Sequence, residues 1–277
     1  MSKKTYYING DFINSDDAKI SFSDSAFLYG DGLFETIRFE NRKLFLINKH
    51  LDRLRHGLKT LDMEYDVSNH EIIKLLESLI NKNSIKNGLL RLMITRGDIE
   101  GPIWEHDGIH NTYVSINSLI DTPEIPVKVI FFDELNYPII RFSPAIKSMN
   151  YIGNMKAKKD AYHAGAFEPV FYNRDKIITE CAIRNIFFIK QNILYTPSLD
   201  LGVLPGVMRD TTIDIAKSEK LGIKESHIHF DNINNFDEAF ISSSGIGILE
   251  CYWENWKSNY KITKKIKKHL ADKLSNW

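Results

Sequence analysis

Ala145-Ile146-Lys147-Ser148-Met149-Asn150-Tyr151, Thr179-Glu180-Cys181-Ala182-Ile183-Arg184-Asn185 and Leu204-Pro205-Gly206-Val207-Met208-Arg209 are the three stretches on which the reading of this chain turns. Lys147 lies in an apolar run with Phe142, Pro144, Ile146 and Met149. An amine stripped of water gives up its charge more readily and becomes nucleophilic near neutral pH. Glu180 ends a β-branched run and precedes small residues, a position that can bury a carboxylate against one cationic partner. Gly206-Val207-Met208, just after a proline, opens a helix whose first N–H groups and positive dipole end suit an anion. Each feature alone has a plainer reading: a solvated lysine, an edge-strand glutamate, a helix start facing water.

The rest of the chain narrows what such a site could serve. Its 277 residues are 43% hydrophobic and 26% charged, enough apolar mass for a large core. Thirty-six basic residues balance thirty-six acidic ones, so no overall field draws the chain to nucleic acid or to an anionic membrane. Two cysteines, Cys181 and Cys251, with no CxxC spacing, fit a reducing compartment and the cytoplasm. The N-terminus reaches the polar Asn9-Gly10-Asp11 before any long apolar run, so no signal peptide is expected. No stretch approaches the roughly 20 apolar residues of a membrane span.

Periodicity predicts a mixed α and β chain. Tyr6–Ile8 and Asp11–Ile13 around Asn9-Gly10 read as a hairpin, since Asn-Gly accepts the positive φ angles of a type I′ turn. Leu51, Leu54, Leu58 and Leu61 predict a helix with Asn48 as its N-cap, and a second helix covers about 70–81. Leu89–Thr95 and Thr112–Ile116 read as strands. The Pro-containing stretch 117–126 is the linker candidate, which places domains at 1–120 and 121–277. Beyond it come a strand at 127–132, a helix from Tyr151 to Gly165, and short strands at 168–172, 176–180, 185–190 and 193–196. A helix from Gly206 to Leu221, ended by Gly222, precedes a strand at 238–243 that stops in Ser242-Ser243-Ser244-Gly245. Ile262, Ile266, Leu270 and Leu274 in the Lys-rich stretch 257–277 predict a terminal helix with one buried stripe and solvated lysines.

An activated amine, an acid and a phosphate cradle are together what pyridoxal 5′-phosphate (PLP) chemistry needs. Taken in order, Tyr29-Gly30-Asp31-Gly32-Leu33-Phe34-Glu35, His50-Leu51-Asp52-Arg53-Leu54, Lys147–Tyr151, Glu180–Asn185 and Leu204–Arg209 resemble the fold-type IV PLP enzymes, or class IV aminotransferases. The resemblance spans almost the whole chain. It implies an α/β (α+β) fold with a smaller N-terminal α/β domain, a larger C-terminal domain with an antiparallel β-rich core, PLP between them, and a homodimer. Carried over by position, Lys147 resembles the lysine that holds the cofactor and shuttles the substrate proton. Arg53 resembles the phosphate-gripping arginine, with Val207, Met208 and Ser244 at the other phosphate positions. Glu180 resembles the acid that keeps the pyridine nitrogen protonated, and Tyr151 a donor to the phenolate oxygen, at a spacing shifted by one. Met208 stands where many relatives have Thr. Tyr29, Phe34, Arg91 and the Gly245 N–H resemble substrate-side groups.

This family includes branched-chain aminotransferase, D-amino acid aminotransferase and 4-amino-4-deoxychorismate lyase. Thr95-Arg96-Gly97 leads into Asp98-Ile99-Glu100-Gly101-Pro102-Ile103-Trp104-Glu105-His106, without the Arg-x-His that traps a carboxylate in the D-amino acid enzyme, which argues against D-specificity. Arg91 stands where branched-chain enzymes carry an arginine. The expectation is therefore transamination of a branched-chain-type amino acid with 2-oxoglutarate as acceptor. The alternative is a lyase releasing pyruvate and 4-aminobenzoate from aminodeoxychorismate, and the remaining reading is a non-catalytic binding protein on the same fold. Small molecules, not nucleic acid or membrane, are the expected partners. No metal site is expected: His227 and His229 have no third ligand nearby in sequence, and Gly108 makes a loop of the His106–His110 pair.

Overall fold

The computed structural model describes residues 3–102 and 109–277; His106 and Gly108 lie outside them. The chain forms two compact units, one of residues 1–120, Ile146–Asn150 and Trp277, the other of Asp121–Ala145 and Tyr151–Asn276.

The first unit is built on a six-stranded antiparallel sheet. In chain order its elements are β1 (Thr5–Ile8), β2 (Asp11–Asn14), α1 (Ser25–Tyr29), β3 (Gly32–Glu40), β4 (Lys43–Leu44), α2 (Ile47–Thr60), α3 (Asn69–Asn83), β5 (Gly88–Thr95) and β6 (Asn111–Ser118). The strands lie in the order β2-β1-β6-β5-β3-β4. The hairpin at Asn9-Gly10 forms, with φ of 46° and 109° at the two turn residues. Leu33, Glu35 and Ile37 alternate onto one face of β3 and are fully buried, while Phe34 and Thr36 share the other face with their partners Met93 and Arg91. Helix α2 packs on β3, and Gly57 permits the close approach: a Cβ there would stand 2.9 Å from Leu33 Cδ1. Asn48 does not cap α2. The β3–β4 hairpin enters the helix through Leu46, itself left-handed at φ 53°, so Asn48 falls inside the first turn. Helix α3 begins with a capping box in which Ser68 and Glu71 satisfy each other's backbone N–H.

The second unit holds β7 (Val127–Asp133), α4 (Ile152–His163), β8 (Glu168–Tyr172), β9 (Ile178–Cys181), β10 (Asn185–Lys190), β11 (Ile193–Pro197), α5 (Val207–Ser218), β12 (Gly222–Ser226), β13 (Glu238–Ser243), β14 (Gly247–Tyr252) and α6 (Lys261–Ser275). Its eight strands run β12-β11-β10-β13-β14-β7-β8-β9. The central β11-β10-β13-β14 run is antiparallel, as is β8 with β9, whereas the pairs β11–β12, β14–β7 and β7–β8 are parallel. Val170, Ile186, Phe188, Ile241, Leu249 and Trp253 belong to one buried cluster. Gly222 does not end α5. The helix stops at Ser218, the chain turns through Lys220 at φ 62°, and Gly222 already pairs with Ile193 as the first residue of β12. Helix α6 starts at Lys261, because the Glu238 carboxylate accepts from the N–H groups of Ile262 and Thr263; it buries Ile266, Leu270 and Leu274.

The segment Ile146–Asn150 belongs with the first unit, although it follows the linker in sequence. Phe34 N donates to Lys147 O at 3.0 Å and Met149 N to Gly32 O at 2.9 Å, so the segment adds to the free edge of β3. Among the described residues no helix is long and apolar enough to cross a membrane.

Candidate active site

Within the first unit, strand pairing decides what surrounds Lys147. Its carbonyl is fixed to Phe34 N, and its side chain lies on the Phe34 face of the sheet, with Nζ 4.3 Å from the ring centroid. Arg91 approaches the same ring, its guanidinium carbon 3.9 Å from the centroid. Phe34 itself is only 4% exposed. One aromatic ring thus carries a primary amine and a guanidinium.

The opposite face of β3 holds a second cluster. Glu35 is completely buried and accepts two hydrogen bonds from Arg53, Nε at 2.8 Å and Nη2 at 2.6 Å, and one contact from His50 Nδ1 at 2.7 Å. His50 and Arg53 are three apart on α2 and therefore face the strand together. Burial alone would raise the Glu35 pKa, but Arg53 and His50 outweigh it and hold the carboxyl down at about 2. Burial pushes the His50 pKa below its ordinary value, and the charges of Arg53 and Lys147 push the same way. Glu35 is therefore anionic, His50 neutral, and Arg53 locked in one orientation. Glu35 and His50 stand in the quoted motifs without an assigned role; the alternation Leu33-Glu35-Ile37, which puts a carboxylate into an apolar row, is the signal that marks the first of them. Tyr29 ends α1 and is 60% exposed.

Within the second unit, Glu180 lies in β9 and its cationic partner inside the chain is Arg141. Leu204 N adds a bond to Glu180 Oε2 at 3.3 Å. Arg141 also donates to Glu134 Oε2 at 2.8 Å and to Thr179 Oγ1 at 3.0 Å. No periodic pattern marks Arg141, because it lies between elements. Gly206 is the N-cap of α5 and brings no side chain, and so no capping oxygen of its own, to the first turn. Val207 and Met208 are the first two helical residues, both buried. The tight neighbour of Gly206 is Asn185, whose Oδ1 would be 2.5 Å from a Cβ and whose amide donates to Ser242 O at 3.1 Å. Ser244 and Gly245 occupy the turn between β13 and β14, and Tyr151 is the residue from which α4 starts. Elsewhere, His227 pairs with Asp200 at 2.9 Å.

The family model for class IV aminotransferases matches residues 32–251. An aminodeoxychorismate lyase of Bacillus subtilis is 33% identical over 249 residues, covering 88% of this chain and 84% of that protein. A D-alanine aminotransferase of Listeria monocytogenes is 32% identical over 247 residues, covering 87% and 84%. A Methanocaldococcus jannaschii protein named "Putative branched-chain-amino-acid aminotransferase" is 29% identical over 296 residues, covering 98% and 96%. Among solved structures, the branched-chain aminotransferase of Thermoproteus uzoniensis with norvaline superposes with a TM-score of 0.90 at 20% identity, covering 99% of this chain and 95% of that one.

Class IV aminotransferases use PLP. Taken unit by unit, the donors present match the charges of that group: in the first unit Lys147 offers a primary amine and Arg53 a guanidinium, and in the second the Glu180 carboxylate suits a pyridinium and the start of α5 an anion. The family model spans residues 32–251, and the chain is an enzyme of the class IV aminotransferase family.

Proposed function

We propose that this enzyme transfers the amino group of a branched-chain-type L-amino acid to 2-oxoglutarate, with PLP as cofactor. One observation carries the reading: the buried Phe34 ring holds both the Lys147 amine and the Arg91 guanidinium. A guanidinium is the group that grips a carboxylate in a bidentate fork. An apolar ring beside a cation and next to the amine suits two substrates in turn, one with an aliphatic side chain and one with a second carboxylate. The relatives named for branched-chain, D-alanine and lyase activities are similar enough that each supports its own reading, and the placing of Arg91 by Phe34 is what supports the first.

Bound PLP supplies an electrophilic aldehyde and an electron-withdrawing pyridinium ring. The residues of the chain do the rest. Lys147 would hold the cofactor through Nζ and, as a free amine, would take up and give back the substrate's α-proton at that atom. Arg53, oriented by Glu35 and His50, would serve the phosphate from the first unit, and the N–H groups of Val207 and Met208, with Ser244, from the second. Met208 contributes its backbone alone, having no hydroxyl. Glu180 keeps the pyridine nitrogen protonated. Tyr151 would donate to the phenolate oxygen; Tyr29 and Arg91, and the Gly245 N–H, are the groups we assign to the substrate.

An absorbance scan of the holoenzyme tests the reaction. L-leucine and L-glutamate should each convert the bound cofactor to its amine form, 2-oxoglutarate should reverse it, and D-alanine should leave the spectrum unchanged. Production of 4-aminobenzoate from aminodeoxychorismate, with no conversion by any amino acid, would assign the enzyme as the lyase instead. With the same family reading goes our expectation of a cytoplasmic homodimer. The exposed apolar side chains Phe22, Phe27 and Tyr29 support a second copy, and light scattering of the purified enzyme tests it.

A further inference from the structure

We propose that Glu134 is a positioning residue that acts through Arg141 to keep the Glu180 carboxylate negative enough to hold the proton on the cofactor's pyridine nitrogen. This rests on the assignment of Glu180 given above. A carboxylate bonded to a guanidinium of its own is half of a neutral pair, and a neutral pair is a poor partner for a pyridinium. Arg141 is not Glu180's own. One of its terminal nitrogens serves Glu180, while the other donates to Glu134 Oε2 at 2.8 Å and to Thr179 Oγ1 at 3.0 Å. Thr179 Oγ1 stands 3.2 Å from the same Glu134 oxygen, which ties the second carboxylate to the strand that carries Glu180. Two carboxylates on one guanidinium leave the group with a net charge of minus one.

Three features keep that count fixed. All three charged side chains are partly buried, so solvent screens them weakly. Burial alone would lower the Arg141 pKa, but Glu180 and Glu134 outweigh it and keep the guanidinium charged. The geometry also fixes each partner: Glu134 opens the turn after β7 and Thr179 is 2% exposed, neighbour in sequence to Glu180.

The test uses holoenzyme reconstituted with PLP labelled with 15N at the pyridine nitrogen, whose chemical shift reports the proton directly. The wild-type enzyme should show the protonated nitrogen. Glu134→Gln removes one negative charge and should lower the proton affinity about tenfold, the order expected for one unit charge at an effective dielectric constant of ~20. Arg141→Met should keep the proton. The double variant Arg141→Met/Glu134→Gln restores a net charge of minus one and should return the resonance to the wild-type position, which loss of a purely structural tie would not do. Glu134→Asp keeps the charge and should also keep the wild-type resonance. If Glu134→Gln does not fold, the same comparison is made between Arg141→Met and the double variant, where removing the Glu134 charge must again lower the affinity. A wild-type resonance in Glu134→Gln, or a double variant that stays shifted, would overturn the proposal. Glu180→Gln separates the two readings: if it moves the resonance and Glu134→Gln does not, only Glu134 is wrong, and if neither moves it, the Glu180 assignment fails as well.

Discussion

Glu35 is a carboxylate placed where leucine or isoleucine would ordinarily stand, and its stability depends on both partners at once. Removing its charge by Glu35→Gln leaves Arg53 buried without its bidentate acceptor, a change that costs about 3–5 kcal/mol. Urea unfolding should show that loss, and PLP affinity should fall with it; an unchanged midpoint would mean that Arg53 is held by other groups. The pH dependence has a definite sign. The Glu35 carboxyl is held at about 2 against an ordinary 4.5, so its stabilisation is complete above 4.5 and is lost as pH falls from there towards 2. His50 is held below its ordinary 6.5, so below that pH the unfolded chain takes up a proton that the folded chain refuses, and stability begins to fall. His50→Gln should flatten the unfolding free energy between pH 6.5 and 4.5 relative to wild type; an identical slope would sink the argument. This cluster was legible in part. Strand alternation puts Glu35 among apolar residues, and the helical repeat puts His50 and Arg53 on one face, so period alone brings them together. Arg141 has no period to read, which is why the acid at 180 could be picked out and its guanidinium partner could not.

Among the elements, α5 differs from α3 in how its first turn is served. Ser68 and Glu71 bond two backbone N–H groups at the start of α3, while Gly206 supplies no side-chain cap to the start of α5. Gly206→Ala keeps an extended backbone that alanine adopts readily, at φ −71° and ψ 131°, so any effect is steric. The new methyl would push on Asn185, held in place by its bond to Ser242. PLP affinity should fall about tenfold, one hydrogen bond to a charged group being worth about 1.5–3 kcal/mol, and Gly206→Ala/Asn185→Ala should recover most of it. Unchanged cofactor affinity in Gly206→Ala would remove α5 from the phosphate site. Ser68→Ala is the contrast, losing about 1 kcal/mol of stability in a melt with activity retained. Helix interiors were readable because their apolar repeats are strong. Their ends were not, because Leu46 and Lys220 adopt left-handed conformations that strand pairing imposes and no residue preference announces.

At the scale of the whole molecule, the Pro-containing stretch after residue 117 marks where the chain leaves the first unit, but the chain returns to that unit twice. Ile146–Asn150 comes back as an added edge on β3, and this return fixes the backbone of Lys147, so the placement of the amine is a consequence of topology rather than of local sequence. Linear reading assigns the segment to the half it sits in, since no turn signal marks a five-residue excursion. The second return is Trp277. Its indole Nε1 donates to Leu44 O at 2.8 Å, and its ring meets Phe45 edge-on with centroids 4.7 Å apart. Such an aromatic pair is worth about 0.5–1.5 kcal/mol and the hydrogen bond about as much again. Trp277→Ala should therefore destabilise the first unit by about 1–3 kcal/mol. The loss belongs to β4 and the start of α2, so hydrogen exchange should quicken at Phe45 and its neighbours while amides of β10 and β13 keep their protection. Equal quickening in both units would show that the C-terminal tryptophan acts on the whole chain and not on the unit it rejoins.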